Sequence, residues 1–272
     1  MIATAIENIL VVKLGGGEGL DLDASCADLA DMARSRPMIV VHGVSALANR
    51  TCEEAGHPVQ TLTSPSGHTS RYTDPQTRDI FVRASGIANR EVVERLQARG
   101  INAAGLIGDE TVIHGERKTA IRAVVAGRVR VVRDDYSGSI TGVDHDHLYE
   151  LIQAGYVPVL PPMAMSDEGL LNIDGDRAAA AVAGALHASE LVILSNVRGL
   201  YRNYPDEASF VQHVAAHQLE TAMEWAQGRM KRKVLGAQEA LDGGVGRVII
   251  SDGRVRQPVQ HALAGQGTVF IR

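Results

Sequence analysis

The feature that most constrains the fold is a regular alternation of short β-branched runs with alanine-rich segments of helix length. This alternation is typical of an α/β protein with a mostly parallel sheet sandwiched between helices. The β-branched runs predict buried strands at 9–14, 38–42, 102–106, 157–160, 191–194, 247–250 and 268–271. Apolar residues at three- and four-residue spacing predict helices at 24–34, 45–55, 77–99, 144–154, 175–186 and 229–243.

Chain length and a proline pair predict two lobes. The chain has 272 residues, of which 45% are hydrophobic, so it can bury a large core. Pro161 and Pro162 follow a predicted strand directly and stiffen the connection at that point. We therefore expect one lobe over residues 1–162 and a second over residues 163–272.

Charge, cysteine content and the N-terminal segment exclude several classes of function. A net charge of -5 and a pI near 6.1 provide no basic field for nucleic acid. Cys26 and Cys52 are the two cysteines, and they do not form a Cys-x-x-Cys pair, so neither a disulfide framework nor a zinc site is supported. The first apolar run is too short to span a bilayer. We expect a cytoplasmic protein with no membrane or nucleic-acid partner.

The pattern changes between about residues 112 and 141, where we expect a β-hairpin insertion. Residues 124–132 are typical of two short strands around a turn at Gly127. Two interpretations of the basic residues in this segment stay open: a solvated hairpin whose arginines face water, or a docking surface for an acidic partner. These residues are Arg117, Lys118, Arg122, Arg128, Arg130 and Arg133.

Two lysines that are far apart in the sequence, Lys13 and Lys233, are candidates for one phosphate site. Lys13 precedes Gly15 and Gly16 at the end of the first predicted strand, and Gly43 follows the second strand. Glycines at strand ends let the backbone approach an anion closely, while lysine supplies positive charge. This combination predicts phosphoryl transfer, which depends mainly on positioning and on charge stabilisation.

Three polar segments add to this pattern: SRYTD at 70–74, LNIDGD at 171–176 and SNVRGLY at 195–201. Each has a simpler structural interpretation as well. Asp176 could be a carboxylate favoured by the dipole of a helix that it begins, and Lys233 could lie on a solvated helix face. Arg71 and Asn172 could likewise serve only the fold. The order of all the segments along the chain, rather than any one of them, carries the functional interpretation.

In this order the segments resemble the amino acid kinase family, from residue 11 to residue 269. Within that family the chain resembles the N-acetylglutamate kinase branch, and especially those members whose substrate is attached to the amino-group carrier protein LysW. The stretches that carry the second resemblance are GHP at 56–58, SRYTD at 70–74, RKTA at 117–120, DYSG at 135–138 and AQGRMKRK at 226–233.

The resemblance implies an enzyme that uses ATP with Mg2+ to phosphorylate a side-chain carboxylate of aminoadipate or glutamate attached to LysW. Lys13 and Lys233 would neutralise the transferring phosphoryl group, and Asp176 would hold both lysines by ion pairing. A carboxylate with a pKa of about 4.3 is already ionised at neutral pH, so no general base is needed. The magnesium would be held mainly by phosphates and water, without a protein ligand.

The same resemblance implies binding residues and partners. Residues 1–162 would bind the amino-acid acceptor and residues 163–272 the nucleotide. The basic hairpin would dock the acidic LysW-type carrier, and the helix at 77–99 would form a homodimer. Phosphate and nucleotide contacts are expected from Gly15, Gly16, Gly43, Ser195, Asn196, Gly199 and Tyr201. Acceptor contacts are expected from Val44, Arg71 and Asn172.

One position departs from the family pattern, which usually has a second glycine where this chain has Val44 after Gly43. If this position needed a positive φ, a β-branched valine would be strained, so we expect a modified acceptor pocket. Three other functions stay open: a kinase of free N-acetylglutamate, a carrier-dependent kinase of specialised metabolism, and a catalytically silent nucleotide or amino-acid sensor. A dinucleotide-binding oxidoreductase is not favoured, because the Gly-x-Gly-x-x-Gly spacing is missing.

Overall fold

The computed structural model describes residues 6–65, 67, 69–125 and 127–272. Within these residues the chain forms sixteen strands and eight α-helices. The strands are β1 (Leu10–Leu14), β2 (Met38–His42), β3 (Thr61–Thr63), β4 (Thr69–Arg71), β5 (Ala103–Gly105), β6 (Ile113–Arg117), β7 (Ile121–Val125), β8 (Arg128–Val132), β9 (Gly138–Val143), β10 (Val157–Leu160), β11 (Met163–Ser166), β12 (Gly169–Asn172), β13 (Glu190–Ser195), β14 (His213–Ala215), β15 (Arg247–Asp252) and β16 (Thr268–Ile271). The helices are α1 (Leu22–Ala33), α2 (Ser45–Glu54), α3 (Pro75–Gln97), α4 (His145–Gln153), α5 (Gly175–Ala185), α6 (Leu219–Trp225), α7 (Met230–Asp242) and α8 (Pro258–Leu263).

The largest sheet has eight strands in the order β14-β16-β15-β13-β1-β2-β10-β5. The six strands from β15 to β5 in this order run parallel, whereas β16 is antiparallel to β15 and pairs in parallel with β14. The N-terminal strand β1 lies at the centre, between β13 and β2. Because the central strands are buried on both faces, the sequences of β1 and β2 are apolar up to Lys13 and His42 rather than alternating.

The two faces of β1 pack against different helices. Leu10 and Val12 belong to a core cluster that includes residues of α1, α3 and α8. Val11 belongs to the opposite cluster, which includes residues of α5 and α7. Successive side chains of a strand point to opposite faces, so Lys13 shares the face of Val11. The side chain of Lys13 is therefore directed toward α5 and α7.

A smaller sheet with the order β12-β11-β6-β9 and two separate antiparallel pairs, β3–β4 and β7–β8, complete the sheet structure of the described residues. In the β7–β8 pair, Arg122 lies opposite Val131 and Val125 lies opposite Arg128. The predicted hairpin is therefore confirmed. Its flanking strands, β6 and β9, pair with each other, and β6 also pairs with β11.

The predicted fold, a mostly parallel sheet flanked by helices, is confirmed. All seven predicted strands and six predicted helices are present, with ends that differ by at most two residues. At α3, the helix begins at Pro75 because the Asp74 side chain accepts a hydrogen bond from the Thr77 amide. The short strands β3, β4, β11, β12 and β14 were not predicted, and neither were α6 and α8. The division into lobes at residue 162 stays a prediction. Among the described helices, none has both the length and the apolar character needed to cross a membrane.

Candidate active site

The carboxyl ends of β1, β2 and β13 meet at one edge of the large sheet, where the candidate site lies. Lys13 is the penultimate residue of β1 and is in register with Val41 of β2 and Ile193 of β13. The glycine-bearing turns follow β1 and β2 at the same edge. In open α/β sheets with parallel strands, ligands bind outside the carboxyl ends of the strands. The topology therefore places the predicted phosphate residues where such a site is expected.

Lys13, Asp176 and Lys233 form one buried ion cluster. The Lys13 Nζ lies 2.8 Å from Asp176 Oδ1, and the Lys233 Nζ lies 3.1 Å from Asp176 Oδ2. Burial alone would raise the pKa of Asp176, but the charges and hydrogen bonds of the two lysines hold it well below its ordinary value. Burial and the neighbouring Lys13 ammonium lower the pKa of Lys233. With one carboxylate between two ammonium groups, the cluster keeps a surplus positive charge.

The packing of α7 on α5 places Lys233 beside Asp176. Asp174 caps α5, because its Oδ1 accepts hydrogen bonds from the Asp176 amide at 3.0 Å and the Arg177 amide at 3.1 Å. A Cβ atom on Gly236 of α7 would lie only 3.1 Å from the Asp176 carbonyl oxygen, so glycine permits the close approach of the two helices. One turn of helix separates Gly236 from Lys233, and the lysine thereby reaches the carboxylate.

The glycine turns after β1 and β2 touch each other through their backbones. A Cβ atom on Gly16 would lie 2.4 Å from the carbonyl carbon of Gly43, and one on Gly43 would lie 2.4 Å from the Gly16 amide nitrogen. Gly15 lies against β13, because its Cβ would be 3.1 Å from the Leu194 carbonyl oxygen. The Gly43 amide donates to the Leu14 carbonyl at 2.9 Å. Gly43 therefore contributes close approach rather than an amide that is open to a phosphate.

Val44 has a φ of -136° at the start of α2, so its backbone is not in the left-handed region. The strain that a positive φ would impose on a valine therefore does not arise at this residue. The Val44 side chain is buried in a small apolar cluster with Ala48, Phe81 and Met163. The valine fills space in this cluster, where glycine would leave a gap.

Arg71 has one guanidinium nitrogen in use and one without a partner. Its Nη2 donates to Asn49 Oδ1 at 2.5 Å, and its Cζ lies 5.8 Å from the ring centre of Phe81. Its Nη1 is buried and has no hydrogen-bond partner among the described residues. A buried unpaired donor on a cation is costly, so Nη1 is suited to an anionic ligand. Burial lowers the pKa of Arg71, and the charge of Arg229 adds to this effect.

Asn172 lies at the end of β12 in a network that joins three segments. Its Nδ2 donates to Thr73 Oγ1 at 2.9 Å, and its amide donates to the Tyr136 carbonyl at 3.0 Å. The Thr73 amide in turn donates to the buried carboxylate of Asp135 at 2.9 Å. This network joins the SRYTD and DYSG segments to the β12 strand that leads to α5.

The candidate nucleotide residues are Ser195, the last residue of β13, and three residues of the segment that follows. Ser195 is buried, and its carbonyl accepts from the Gly253 amide at 2.7 Å, whereas Asn196 is exposed. Gly199 packs so closely on Thr268 that a Cβ atom would lie 2.4 Å from its Oγ1. The Tyr201 hydroxyl donates to Glu207 at 3.0 Å, and burial and this bond raise the pKa of Tyr201. Gly199 and Tyr201 thus fix the shape of the segment, while Asn196 faces solvent.

His42 is a buried, neutral residue at the end of β2. The Asn89 Nδ2 lies 3.2 Å from His42 Nε2 and donates to the Val159 carbonyl at 2.9 Å. Burial lowers the pKa of His42 to about 4, and the charge of Lys13 acts in the same direction against a hydrogen bond to Gly43. Asn89 therefore joins the ends of β2 and β10, and His42 carries no charge at neutral pH.

Several residues at this edge were not predicted as site residues. Arg232 forms an ion pair with Asp174 at 3.2 Å and donates to the Thr69 carbonyl, so it links the cap of α5 to β4. The Nη1 of Arg229 lies 3.7 Å from where a Cβ on Gly17 would be. Both belong to the AQGRMKRK segment, whose density of positive charge was the available signal. No sequence pattern indicated Asn49.

This edge combines two fixed cations, close backbone contacts and an unpaired guanidinium donor. An arrangement of this kind stabilises negative charge on a group in transfer. Together, fold and site define a small-molecule kinase of the α/β class. The chain belongs to the Amino acid kinase family, which matches residues 8–252.

Two relatives share about half of the sequence. A protein from Deinococcus radiodurans, named [LysW]-aminoadipate kinase, is 50% identical over 273 residues, covering 99% of this chain and 94% of the relative. A protein of the same name from Thermus thermophilus is 46% identical over 267 residues, covering 96% of this chain and 99% of the relative.

Solved structures of lower identity show the same fold. N-acetylglutamate synthase from Neisseria gonorrhoeae, solved with coenzyme A and N-acetyl-glutamate, superposes with a TM-score of 0.80 at 23% identity. That match covers 98% of this chain, which spans 60% of the longer synthase chain. A carbamate kinase from Giardia superposes with a TM-score of 0.69 at 14% identity, covering 98% of this chain and 99% of the kinase.

Proposed function

We propose that the protein transfers the γ-phosphoryl group of ATP to the side-chain carboxylate of aminoadipate attached to a LysW-type carrier protein, with carrier-bound glutamate as a second acceptor. The observation that carries the proposal is the buried cluster of Lys13, Asp176 and Lys233 at the carboxyl edge of the sheet. The two relatives named [LysW]-aminoadipate kinase, which match almost the whole chain, support the choice of acceptor.

In the reaction, an acceptor carboxylate oxygen attacks the γ-phosphorus of ATP, and the bond from this phosphorus to the oxygen that bridges it to the β-phosphorus breaks. ADP and an acyl phosphate are formed. No proton leaves the acceptor, since the carboxylate is already ionised at neutral pH. Lys13 and Lys233 stabilise the charge on the moving phosphoryl oxygens, and Asp176 keeps the two ammonium groups in place before substrates bind.

Mg2+ is the ion that we expect to accompany ATP. Among the residues described, no group of three or more histidine, cysteine, aspartate or glutamate side chains lies together so that it could hold a metal. In this proposal, phosphate oxygens and water supply the ligands of the ion. When bound, the ion neutralises part of the phosphate charge. Gly15, Gly16 and the exposed Asn196 are then the residues that we assign to the phosphate and nucleotide side.

On the acceptor side, Arg71 and Asn172 are assigned to the α-carboxylate and its surroundings. The unpaired Nη1 of Arg71 supports this assignment, since a guanidinium matches a carboxylate in shape and charge. Val44, together with Phe81 and Met163, supplies the apolar wall along which the methylene groups of the acceptor would lie. Such a wall suits a chain that carries charge only at its ends.

The hairpin β7–β8 is the docking surface that we assign to the acidic carrier. Three arginines of the hairpin and a fourth directly after β8 are exposed and would attract negative charge. Lys118, an exposed residue directly after β6, adds to this basic surface. Arg117 is less available, since its Nε is 2.8 Å from Glu168 Oε2 and its guanidinium stacks on a tyrosine ring. The four exposed arginines are Arg122, Arg128, Arg130 and Arg133.

We also propose that the protein forms a homodimer through α3. Ile87 on α3, which is 40% exposed, is a side chain that this interface would cover. Residues 1–162 would bind the acceptor, and residues 163–272 would bind the nucleotide. Free N-acetylglutamate remains the alternative acceptor. The two acceptor classes are separated by the experiment below.

The deciding experiment measures ADP release with Mg-ATP and three acceptors in parallel: carrier-bound aminoadipate, carrier-bound glutamate and free N-acetylglutamate. Hydroxylamine traps the acyl phosphate. We expect turnover with the carrier-bound acids and a fall in kcat of about 10²- to 10³-fold in Lys13→Ala. Turnover restricted to free N-acetylglutamate would mean that the acceptor is this free acid and that no carrier takes part. Turnover that survives unchanged in Lys13→Ala would refute the assigned site.

The docking assignment predicts that Arg128→Gln/Arg130→Gln raises the KM for the carrier substrate several-fold at low salt, while the KM for ATP stays the same. The matched control is Arg34→Gln/Arg272→Gln, which removes the same charge at the opposite edge of the sheet. High salt should raise the KM of the wild type toward that of the hairpin variant. Equal effects of both double variants would show that overall charge, rather than the hairpin, attracts the carrier.

A further inference from the structure

The helix α2 connects the phosphate side of the site to the acceptor side. At its start, the Ala46 amide and the Ser45 hydroxyl both donate to the Gly16 carbonyl, at 2.7 Å and 2.8 Å. One turn further along, Asn49 Oδ1 accepts from Arg71 Nη2 at 2.5 Å. An α-helix rises about 1.5 Å per residue and is stiff over one turn. The distance between the Gly16 turn and the Arg71 guanidinium is therefore fixed by Asn49.

The contact with Asn49 also determines which nitrogen of Arg71 is left for a ligand. Nη2 is taken by Asn49, while the buried Nη1 has no partner among the residues that the structure describes. The ring of Phe81, with its centre 5.8 Å from Cζ, restricts the guanidinium from the side. Because Asn49 holds Nη2 and Phe81 covers one face of the guanidinium, Nη1 is directed to one place at a set distance from the Gly16 turn.

We propose that Asn49 is a positioning residue that sets the length of acceptor that the kinase prefers. This inference rests on the proposed function, because it takes Arg71 as the contact for the α-carboxylate while the side-chain carboxylate faces the phosphate turn. Aminoadipate and glutamate differ by one methylene between these two carboxylates. A fixed distance between the Arg71 guanidinium and the Gly16 turn favours one of these two acceptors, whereas a mobile Arg71 side chain would accommodate both. A pocket separates such homologues by about 10- to 200-fold, so there is a measurable preference to lose.

The test compares Asn49→Ala with Asn49→Asp and with Arg50→Ala, a change at the exposed neighbour on the same helix. The parameters are kcat and KM for carrier-bound aminoadipate, carrier-bound glutamate and ATP. In Asn49→Ala we expect the acceptor KM to rise about tenfold, the ATP KM to change less than about twofold, and the preference between the two acceptors to shrink at least about fivefold. Asn49→Asp keeps an oxygen on Nη2 and should retain the preference.

Three results would overturn the inference. The acceptor preference of Asn49→Ala could equal that of the wild type, the KM values for ATP and acceptor could rise together, or Asn49→Asp could lose the preference as fully as Asn49→Ala. The first means that Asn49 does not set the span, the second that the whole cleft has loosened, and the third that the retained oxygen is irrelevant. Arg50→Ala should match the wild type throughout.

Failure of the proposed function would look different. If the wild type uses only free acids, the carrier assignment falls, and the same comparison is made with N-acetylaminoadipate and N-acetylglutamate. The rise in melting temperature on adding each acceptor, measured for the wild type and Asn49→Ala, gives the preference without turnover. An Asn49→Ala protein that binds both chain lengths as selectively as the wild type would refute the inference in that case too.

Discussion

Acidification should destabilise this protein through His42, a buried residue at the end of β2. His42 is 2% exposed, and its pKa is lowered to about 4 from an ordinary value of 6.5. Below pH 6.5 the unfolded chain binds a proton at this histidine, whereas the folded protein does not do so until the pH approaches 4. Stability is therefore unaffected by His42 above pH 7 and is lost as the pH falls from 6.5 toward 4.

The magnitude follows from the gap between the two pKa values. At about 1.4 kcal/mol for each tenfold change in proton affinity, the full loss is about 3 kcal/mol at pH 4 and about 2 kcal/mol at pH 5. This is a large part of the total stability of a typical domain, about 5–15 kcal/mol. The loss should appear as a lower midpoint of urea unfolding with an unchanged slope.

The assay compares urea unfolding of the wild type and His42→Gln at pH 7.5 and pH 5. Glutamine cannot take up a proton but keeps an oxygen that can accept from Asn89. The wild type should lose about 2 kcal/mol more than His42→Gln between the two pH values. His217→Gln, at an exposed histidine, should follow the wild type. Parallel losses in the wild type and His42→Gln would refute the view that His42 is buried in a neutral form.

Two further substitutions test the glycine turns. Gly16→Ala should destabilise the protein by about 1–3 kcal/mol and lower kcat at least about tenfold, because its Cβ would lie 2.4 Å from backbone atoms of Gly43 and Val44. Gly17→Ala is the control, because its Cβ would lie 3.7 Å from Arg229 Nη1. Chemical unfolding and initial rates measure both effects, and an active, stable Gly16→Ala would contradict the close contact. Val44→Gly should lower the free energy of unfolding by about 1–3 kcal/mol, and with it the melting temperature, because loss of the buried valine side chain leaves a gap. It should not raise kcat, since the valine has no positive φ that glycine would relieve. A faster Val44→Gly enzyme would show that the valine hinders turnover.

The gathering of Lys13, Asp176 and Lys233 at one edge could be anticipated from the sequence, since each lies close to the start or the end of an element whose pattern is plain. Lys13 is the penultimate residue of an otherwise apolar strand, and Asp176 lies in the first turn of an alanine-rich helix after a capping aspartate. Parallel strands place their carboxyl ends together, so the site follows from the order of the elements. The resemblance to the amino acid kinase family added the role that each of these three residues would have in phosphoryl transfer.

Other parts of the site depend on tertiary packing that no local pattern encodes. The contact of Gly16 with Gly43 depends on the register of β1 against β2, and the conformation of Val44 depends on how α2 begins. The bond between Asn49 and Arg71 joins residues on a helix and on a three-residue strand that was not predicted. Strands as short as β4 or β11 leave too few residues for a period of two to be recognised.

The central position of β1 has a consequence for synthesis of the protein. Leu10 pairs with Glu190 of β13, and Lys233 is later still in the chain. At about 5–20 residues per second, a ribosome needs roughly 10 to 35 s to proceed from the first of these partners to the second. During this interval one edge of an apolar strand has no neighbour, a condition that favours aggregation. Incomplete chains should therefore depend on chaperones until β13 has been made and can pair with β1.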